Sequence, residues 1–347
     1  MSKRITIMDI AKATNVTHTT VYKALRNKPY ISKETRKRIL EAAKSMGYRA
    51  NKVAQSLVRK NIKIGIIIEG YISTYSNELI RGIKEGLDEL IDDKIEGVFS
   101  EFEPSHGKEK IIKKITNFTS AGAQGIIFSP YAACDEYAEM IAKLEKKGIP
   151  VILVTADIPD SKKLTTIRPD GILVGSIGAE LLHLFKSGNN FAVFTGNRNV
   201  IHHQEIVDGF TEKTRSLSHK VIGVYETRDD YKTAYHSAEL LLNDHPETDG
   251  IFVGTSHSAG ICKKITELGL EKKITVITTD VFPELAEYIE NGIVRATIFQ
   301  NSFMQGKMAV NEMFRYLTGD SVTGDKVFVN PEILIKSNYK KYMPPAL

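Results

Sequence analysis

ITIMDIAKATNVTHTTVYKALRNKPYISKETRKRILEAAKSMGYRANKVAQSLVRK, residues 5–60, decides how the rest of the chain is read. Thr6 followed by Asp9 is a capping box, which predicts a helix from about Ile7 with Ile7, Ile10 and Ala11 on its buried face. Asn15 stands where a helix-turn-helix needs positive φ, and Asn tolerates that conformation next best to Gly. Thr17 caps a second helix, residues 18 to about 26. Its Val21, Ala24 and Leu25 recur at helical spacing and leave His18, Thr19, Tyr22 and Lys23 facing outward. Ser32 caps a third helix running to Met46, with Gly47 as its stop. Beyond it, Asn51 can cap a short helix carrying Val53, Ala54, Leu57 and Val58 on one stripe. So short a helix is marginal alone, because nucleation is costly, and it needs a partner to hold it. The plainer reading makes Leu57 an ordinary core residue of a linker.

Charge sharpens this. Residues 1–60 hold 15 lysines and arginines against three acidic residues, a net of +12, in a chain whose total is +5. Residues 61–347 therefore carry −7. A small basic helical module beside an acidic remainder is an electrostatic footprint for nucleic acid. A merely solvated basic surface would not also supply the caps and the turn residue.

The runs ITIMDIAKATNVTHTTVYKALRN and SKETRKRILEAAKSMGYRANKVAQSL resemble the headpiece and hinge of the LacI/GalR repressors. From Ile62 to about Tyr339 the chain resembles, more loosely, that family's periplasmic-binding-protein-like core. The resemblance implies a dimer on a palindromic operator. It implies that His18 and Thr19 read bases, with Lys23 where the family usually has Arg. Thr6, Thr17, Thr20 and Asn27 would meet phosphates. It further implies that two hinge helices pair in the minor groove and that Leu57 wedges into the central base step. Tyr22, Asn51 and Ala54 complete the expected DNA-binding set.

The chain has 347 residues, enough for more than one domain, and its 42% apolar content is ordinary for a globular protein. No apolar run approaches the roughly 18 residues of a membrane span. The N-terminus MSKRITIMDI has no leader-like apolar stretch, and the two cysteines, Cys134 and Cys262, show no metal spacing. Both point to a reducing cytoplasm.

From Lys63 short apolar strands alternate with amphipathic helices. Strands are expected at 63–69, 95–102, 125–129, 150–155, 191–195, 220–225, 250–253, 274–278 and 294–300. That order predicts an α/β fold of doubly wound parallel sheets. Two similar series suggest two lobes and a cleft. The expected division is a headpiece at 1–48, a hinge at 49–61 and a core at 62–340. Lobe 1 is expected at about 62–160 and 293–320, and lobe 2 at about 161–292 and 321–340. The family pattern implies crossings near 158–165, 290–293 and 319–325.

In parallel sheets ligands bind at the carboxyl ends of the strands. Those ends carry Tyr71, Tyr75 and Ser76, Pro130 and Tyr131, Asp157, the run from Asn197 to Gln204, Thr255 to His257, Asp280 and Gln300. An aromatic beside a carboxylate and amides suits a polyol: the ring covers an apolar sugar face, and Asp or Gln pairs with hydroxyls. Each alone also reads as loop surface. Sugar-responsive family members often carry an Arg five residues before a Gly–aromatic pair; here the pair is Gly209–Phe210 and Gln204 takes the Arg position. Thr255 and Ser256 replace a usual Asn-Asp, while Asp280 matches the usual acidic residue. These departures leave charged metabolites and purines open.

Signals for catalysis, cofactor or metal are poor. There is no P-loop, no GxSxG and no HExxH, and VGSIGAE at 174–180 has two glycines suited to close helix packing. His202 and His203 are adjacent, so on a helix they diverge by about 100°. The expectation is a cytoplasmic, dimeric, ligand-responsive repressor of a carbohydrate operon, without enzyme activity or cofactor. The rivals are control by a phosphocarrier protein or a non-sugar metabolite, and a sugar-binding transport protein. A tetramer is not expected, because after EILIKSNYKK the tail holds Pro344–Pro345 and no heptad helix.

Operator selection with His18→Ala and Thr19→Ala tests the headpiece reading. Each is expected to relax base preference at its own position, by about 1–3 kcal/mol per base. Unchanged preference in both would refute the assignment.

Overall fold

A computed structural model describes residues 5–25, 31–46, 61–70, 74–185 and 188–343. Gly47, Asn27, the hinge residues Asn51, Ala54 and Leu57, and Tyr71 lie outside the described residues. Contacts divide the chain into a headpiece unit and a core unit.

The headpiece holds α1 (Ile7–Thr14), α2 (His18–Leu25) and α3 (Lys33–Ser45). Thr6 and Asp9 form the capping box in full, the Asp9 carboxylate accepting from the Thr6 N–H at 2.8 Å. Asn15 turns the chain at φ 49°. Thr17 Oγ1 accepts from the Thr20 N–H at 3.2 Å, and Ser32 Oγ from the Thr35 N–H at 3.1 Å. These caps satisfy donors that each helix start leaves orphaned. Ile10, Val21 and Ala24 close the small core at the predicted spacing, joined by Ile39 of α3.

The core unit contains two six-stranded sheets. The first runs β11–β5–β4–β3–β1–β2, all parallel. Its strands are β1 (Ile62–Glu69), β2 (Ile95–Phe102), β3 (Gly125–Ser129), β4 (Val151–Val154), β5 (Thr165–Pro169) and β11 (Lys326–Val329). The second runs β12–β10–β9–β8–β6–β7, with only β12 antiparallel. Its strands are β6 (Asn190–Thr195), β7 (Lys220–Glu226), β8 (Gly250–Gly254), β9 (Thr275–Thr279), β10 (Val294–Phe299) and β12 (Glu332–Leu334). Helices cover both faces of each, so the central strands read as unbroken apolar runs such as IGIII. Along β1, Ile64, Ile66 and Ile68 enter one core and Ile67 the other.

Each lobe is tightened by a glycine contact between helices. In the first, α4 (Thr74–Asp88) lies against α12 (Ser302–Leu317), and a Cβ on Gly82 would stand 1.9 Å from the Phe303 carbonyl oxygen. In the second, α7 (Gly171–Leu184) lies against α8 (Ile201–Ser216), and a Cβ on Gly175 would stand 2.1 Å from the Ile206 carbonyl oxygen. Any side chain there would force the helices apart.

The sheets revise the expected lobe boundaries. β5 and β11 belong to the first sheet, although residues 161–292 and 321–340 were expected in lobe 2. β10 belongs to the second sheet, although 293–320 was expected in lobe 1; only α12 of that stretch returns to the first. The chain therefore crosses at 169–171, 299–302 and 329–332. The reason lies in the TTIRP sequence of β5. An Arg and a Pro break its apolar pattern, yet every residue of the strand is buried. Among the described residues no helix is long and apolar enough to cross a membrane.

Candidate functional site

On the headpiece, α2 carries His18 and Thr19 fully outward, with Tyr22 48% exposed and Lys23 half-buried. Thr6 and Thr17 are exposed, and the Thr17 and Thr20 hydroxyls pair at 2.9 Å. Of the side chains expected to meet DNA, Thr6, Thr17, His18 and Thr19 lie exposed at the starts of α1 and α2, while Lys23 stands in the last turn of α2.

In the core, a cleft of about 220 Å³ lies between the two sheets. It forms where each sheet reverses its winding: beside β1 and β3 in the first, and beside β6 and β8 in the second. Glu69 ends β1, and Ser129, Pro130 and Tyr131 follow β3. From the second lobe come His202 and His203 on α8, Asp229, Thr255, Ser256, His257 and Asp280. The volume is below the roughly 300–1,000 Å³ of drug-sized sites, which suits a small metabolite. Of the residues expected at the cleft, Tyr75, Ser76, Tyr131, Thr255, Asp280 and Gln300 line it.

Asp157 and Gln204 do not. Asp157 is buried away from the cleft, bonded to the Thr166 hydroxyl at 2.8 Å and paired with Lys163 at 2.9 Å and Lys326 at 3.3 Å. It lies after β4, one strand removed from the reversal point, so its carboxylate ties β5 and β11 instead. Burial works against its charge, but these partners hold its carboxyl below the usual range. Gln204 turns to the surface, where it accepts from Arg198 at 2.9 Å and donates to Asp208 at 2.7 Å. On α8 the inward positions are 202 and 203, and the next residue rotates by about 100°.

A continuous polar chain runs through the cleft floor. The Asp280 carboxylate accepts from the Gln300 backbone N–H at 2.8 Å and from Gln300 Nε2 at 2.7 Å. With that amide nitrogen committed, Gln300 Oε1 faces His202 Nε2 at 2.6 Å, so Nε2 carries the ring proton and donates. The Gln300 carbonyl accepts from Gln305 Nε2 at 2.9 Å, and the same nitrogen meets the Tyr75 hydroxyl at 2.9 Å. Gln305 is wholly buried on α12. His202 falls within the expected run Asn197 to Gln204, whereas Gln305 was not expected at the site. The adjacency of two histidines spoke only against a metal, and nothing in the sequence separates Gln305 from a surface helix residue.

Thr155 and Asp280 hold φ of 71° and 58°, at the ends of β4 and β9. A β-branched residue in that region is a true outlier, and such strain gathers at functional sites. Burial pushes the Asp280 carboxyl up to about 6 from its ordinary 3.8, against the two Gln300 hydrogen bonds. Burial likewise pushes the His202 ring down to about 3, helped by neighbouring His203. Burial and the nearby Asp280 carboxylate both raise the Tyr75 phenol, which stays protonated. Among the described residues no cluster of His, Cys, Asp and Glu is placed to hold a metal ion.

These two shifts act oppositely on stability. Asp280 contributes stability that is full below about pH 4 and lost as pH rises through about 6. His202 contributes stability that is full above about 6.5 and lost as pH falls toward 3. In the wild type the slopes offset. Relative to it, Asp280→Asn is expected to gain stability as pH rises from 4 to 6, by about 1.4 kcal/mol per pH unit, and His202→Gln to lose it. Thermal unfolding across that range reads the difference; parallel curves for all three proteins would contradict it.

A model of the LacI family of bacterial regulatory proteins matches residues 6–51, and one of the periplasmic binding protein domain matches 64–321. The chain is 32% identical over 347 residues to the probable HTH-type transcriptional repressor ExuR of Bacillus subtilis, covering 97% of this chain and 99% of that one. It is 25% identical to catabolite control protein A of Priestia megaterium over 97% of this chain and 99% of the relative. The fold also matches GanP, a glucose-galactose binding protein from Geobacillus stearothermophilus, with a TM-score of 0.72 and 23% identity over 81% of this chain and 99% of that one. The headpiece, the two doubly wound sheets and a relative matched over nearly its whole length agree: the chain belongs to the LacI family of bacterial transcription regulators.

Proposed function

We propose that the protein is a cytoplasmic homodimeric repressor whose headpieces bind a palindromic operator and whose cleft senses a small polyhydroxylated ligand. The cleft is the observation that carries this reading. It is a partly open cleft, lined from both lobes by aromatic rings and hydrogen-bonding groups, with positive φ at Thr155 and Asp280 on its edge. Tyr75 and Tyr131 face it from the first lobe, and Thr255, Asp280 and Gln300 from the second.

A ligand touching both sets favours one lobe arrangement over another by its difference in affinity, which is all that allosteric control requires. The basic headpiece supports DNA as the partner. The names of ExuR and catabolite control protein A support a repressor role and sugar-related control. We assign the protein no catalytic step.

A thermal-shift screen of sugars, polyols, sugar phosphates and purines identifies the ligand, since binding to the native state raises its melting point. Operator affinity is then measured with and without that ligand. In Asp280→Ala and Tyr75→Ala the ratio of the two affinities is expected to collapse toward one, because truncation leaves buried ligand hydroxyls unpaired at a cost of about 1–3 kcal/mol. Wild-type responses in both variants would move the sensor out of the cleft and favour a docked phosphocarrier protein.

A further inference from the structure

Among the described residues the cleft is lined by three carboxylates, Glu69, Asp229 and Asp280, and by no lysine or arginine. Each is held by neutral donors. Glu69 accepts from the Tyr131 N–H at 3.1 Å and the Tyr137 hydroxyl at 2.9 Å. Asp229 accepts from the Thr255 hydroxyl at 2.8 Å and the Tyr131 hydroxyl at 3.4 Å. Asp280 has only Gln300.

Elsewhere the fold treats buried carboxylates differently. Asp157 pairs with two lysines, and Glu312 with Arg315 at 2.7 Å. Of the three fully buried acidic residues, Asp280 alone lacks a cationic partner among the described residues. A buried carboxylate without a countercharge is costly, and a ligand can supply what the chain does not.

Glu69, Asp229 and Asp280 together give the cleft an excess of lone pairs, which calls for a ligand rich in donors. An ammonium brings three donors and the missing charge, and Tyr75, Tyr131 and Phe282 add rings that attract cations.

We propose that the ligand of this cleft carries a positively charged nitrogen as well as hydroxyls, as an amino sugar or aminocyclitol does. This rests on the reading of the cleft as the sensor. Anionic ligands, uronates and sugar phosphates among them, are disfavoured by the same three carboxylates.

The test is calorimetry on the full chain with matched probes. Glucosamine, galactosamine, mannosamine and an amino-inositol are each compared with the neutral parent, the N-acetyl form where one exists, and the uronate. At least one amine is expected to bind about tenfold or more tightly than its hydroxyl counterpart, since a hydrogen bond to a charged group outweighs a neutral one by about that factor. N-acetylation should abolish the preference. Asp229→Asn and, independently, Glu69→Gln should reduce it; Asn tolerates the φ of 56° at position 229. Overturning results are tighter binding of a neutral parent or uronate, no binding by any amine, or a preference unchanged in both variants. Operator affinity measured in parallel separates the two readings. A neutral sugar that binds and moves operator affinity keeps the sensor and removes the amine; an amine that binds without moving it does the reverse.

Discussion

Arg168 is 2% exposed, and a guanidinium cannot be buried without a partner. Its partner comes from the other lobe. On β5 of the first sheet, Arg168 makes two parallel bonds to Glu205 on α8 of the second, at 2.5 and 2.8 Å. The guanidinium also lies 5.4 Å from the Phe328 ring centre on β11. Breaking one side of such a pair costs about 3–5 kcal/mol, because it strands a buried charge. The pair sits where the chain first passes between lobes, next to Gly171, whose added Cβ would stand 2.7 Å from the Glu205 Cβ. It fixes the place about which the two sheets are related, and the cleft opens from there.

The other crossings serve the same arrangement. The passage at 299–302 holds Asn301 at φ 54°, places Gln300 against Asp280, and starts the helix that returns Gln305 to the first lobe. The path from His202 through Gln300 and Gln305 to Tyr75 therefore follows the backbone crossing itself. Across the mouth, the Tyr131 hydroxyl of the first lobe donates a long bond to Asp229 of the second at 3.4 Å. A firm contact at the back and a weak one at the front suit a site that closes on a ligand.

Much of this was legible in the residues. The Thr6–Asp9 box, the turn at Asn15 and the inward set Ile10, Val21 and Ala24 depend on neighbours within a few positions, so local pattern suffices. Strand ends rank as ligand positions by topology alone, which is why Tyr75, Tyr131, Thr255, Asp280 and Gln300 were expected at the cleft that they line. What escaped depends on distant partners. Arg168 reads as surface until Glu205, 37 residues on, is brought beside it, and with it β5 was lost and the lobe boundaries shifted. Asp157 reads as a ligand until Lys163 and Lys326 neutralise it. Gln204 was one helical step from the inward histidines, and Gln305 had no local sign at all.

The claim that a cross-lobe ion pair anchors the two halves is tested most directly by a double-mutant cycle on Arg168→Met and Glu205→Met, read by denaturant unfolding of the full chain. Each single change should destabilise by about 3–5 kcal/mol, and the double change by far less than their sum, since two apolar side chains can pack where two charges paired. Additive losses would show that Arg168 and Glu205 do not stabilise each other, and would contradict the account.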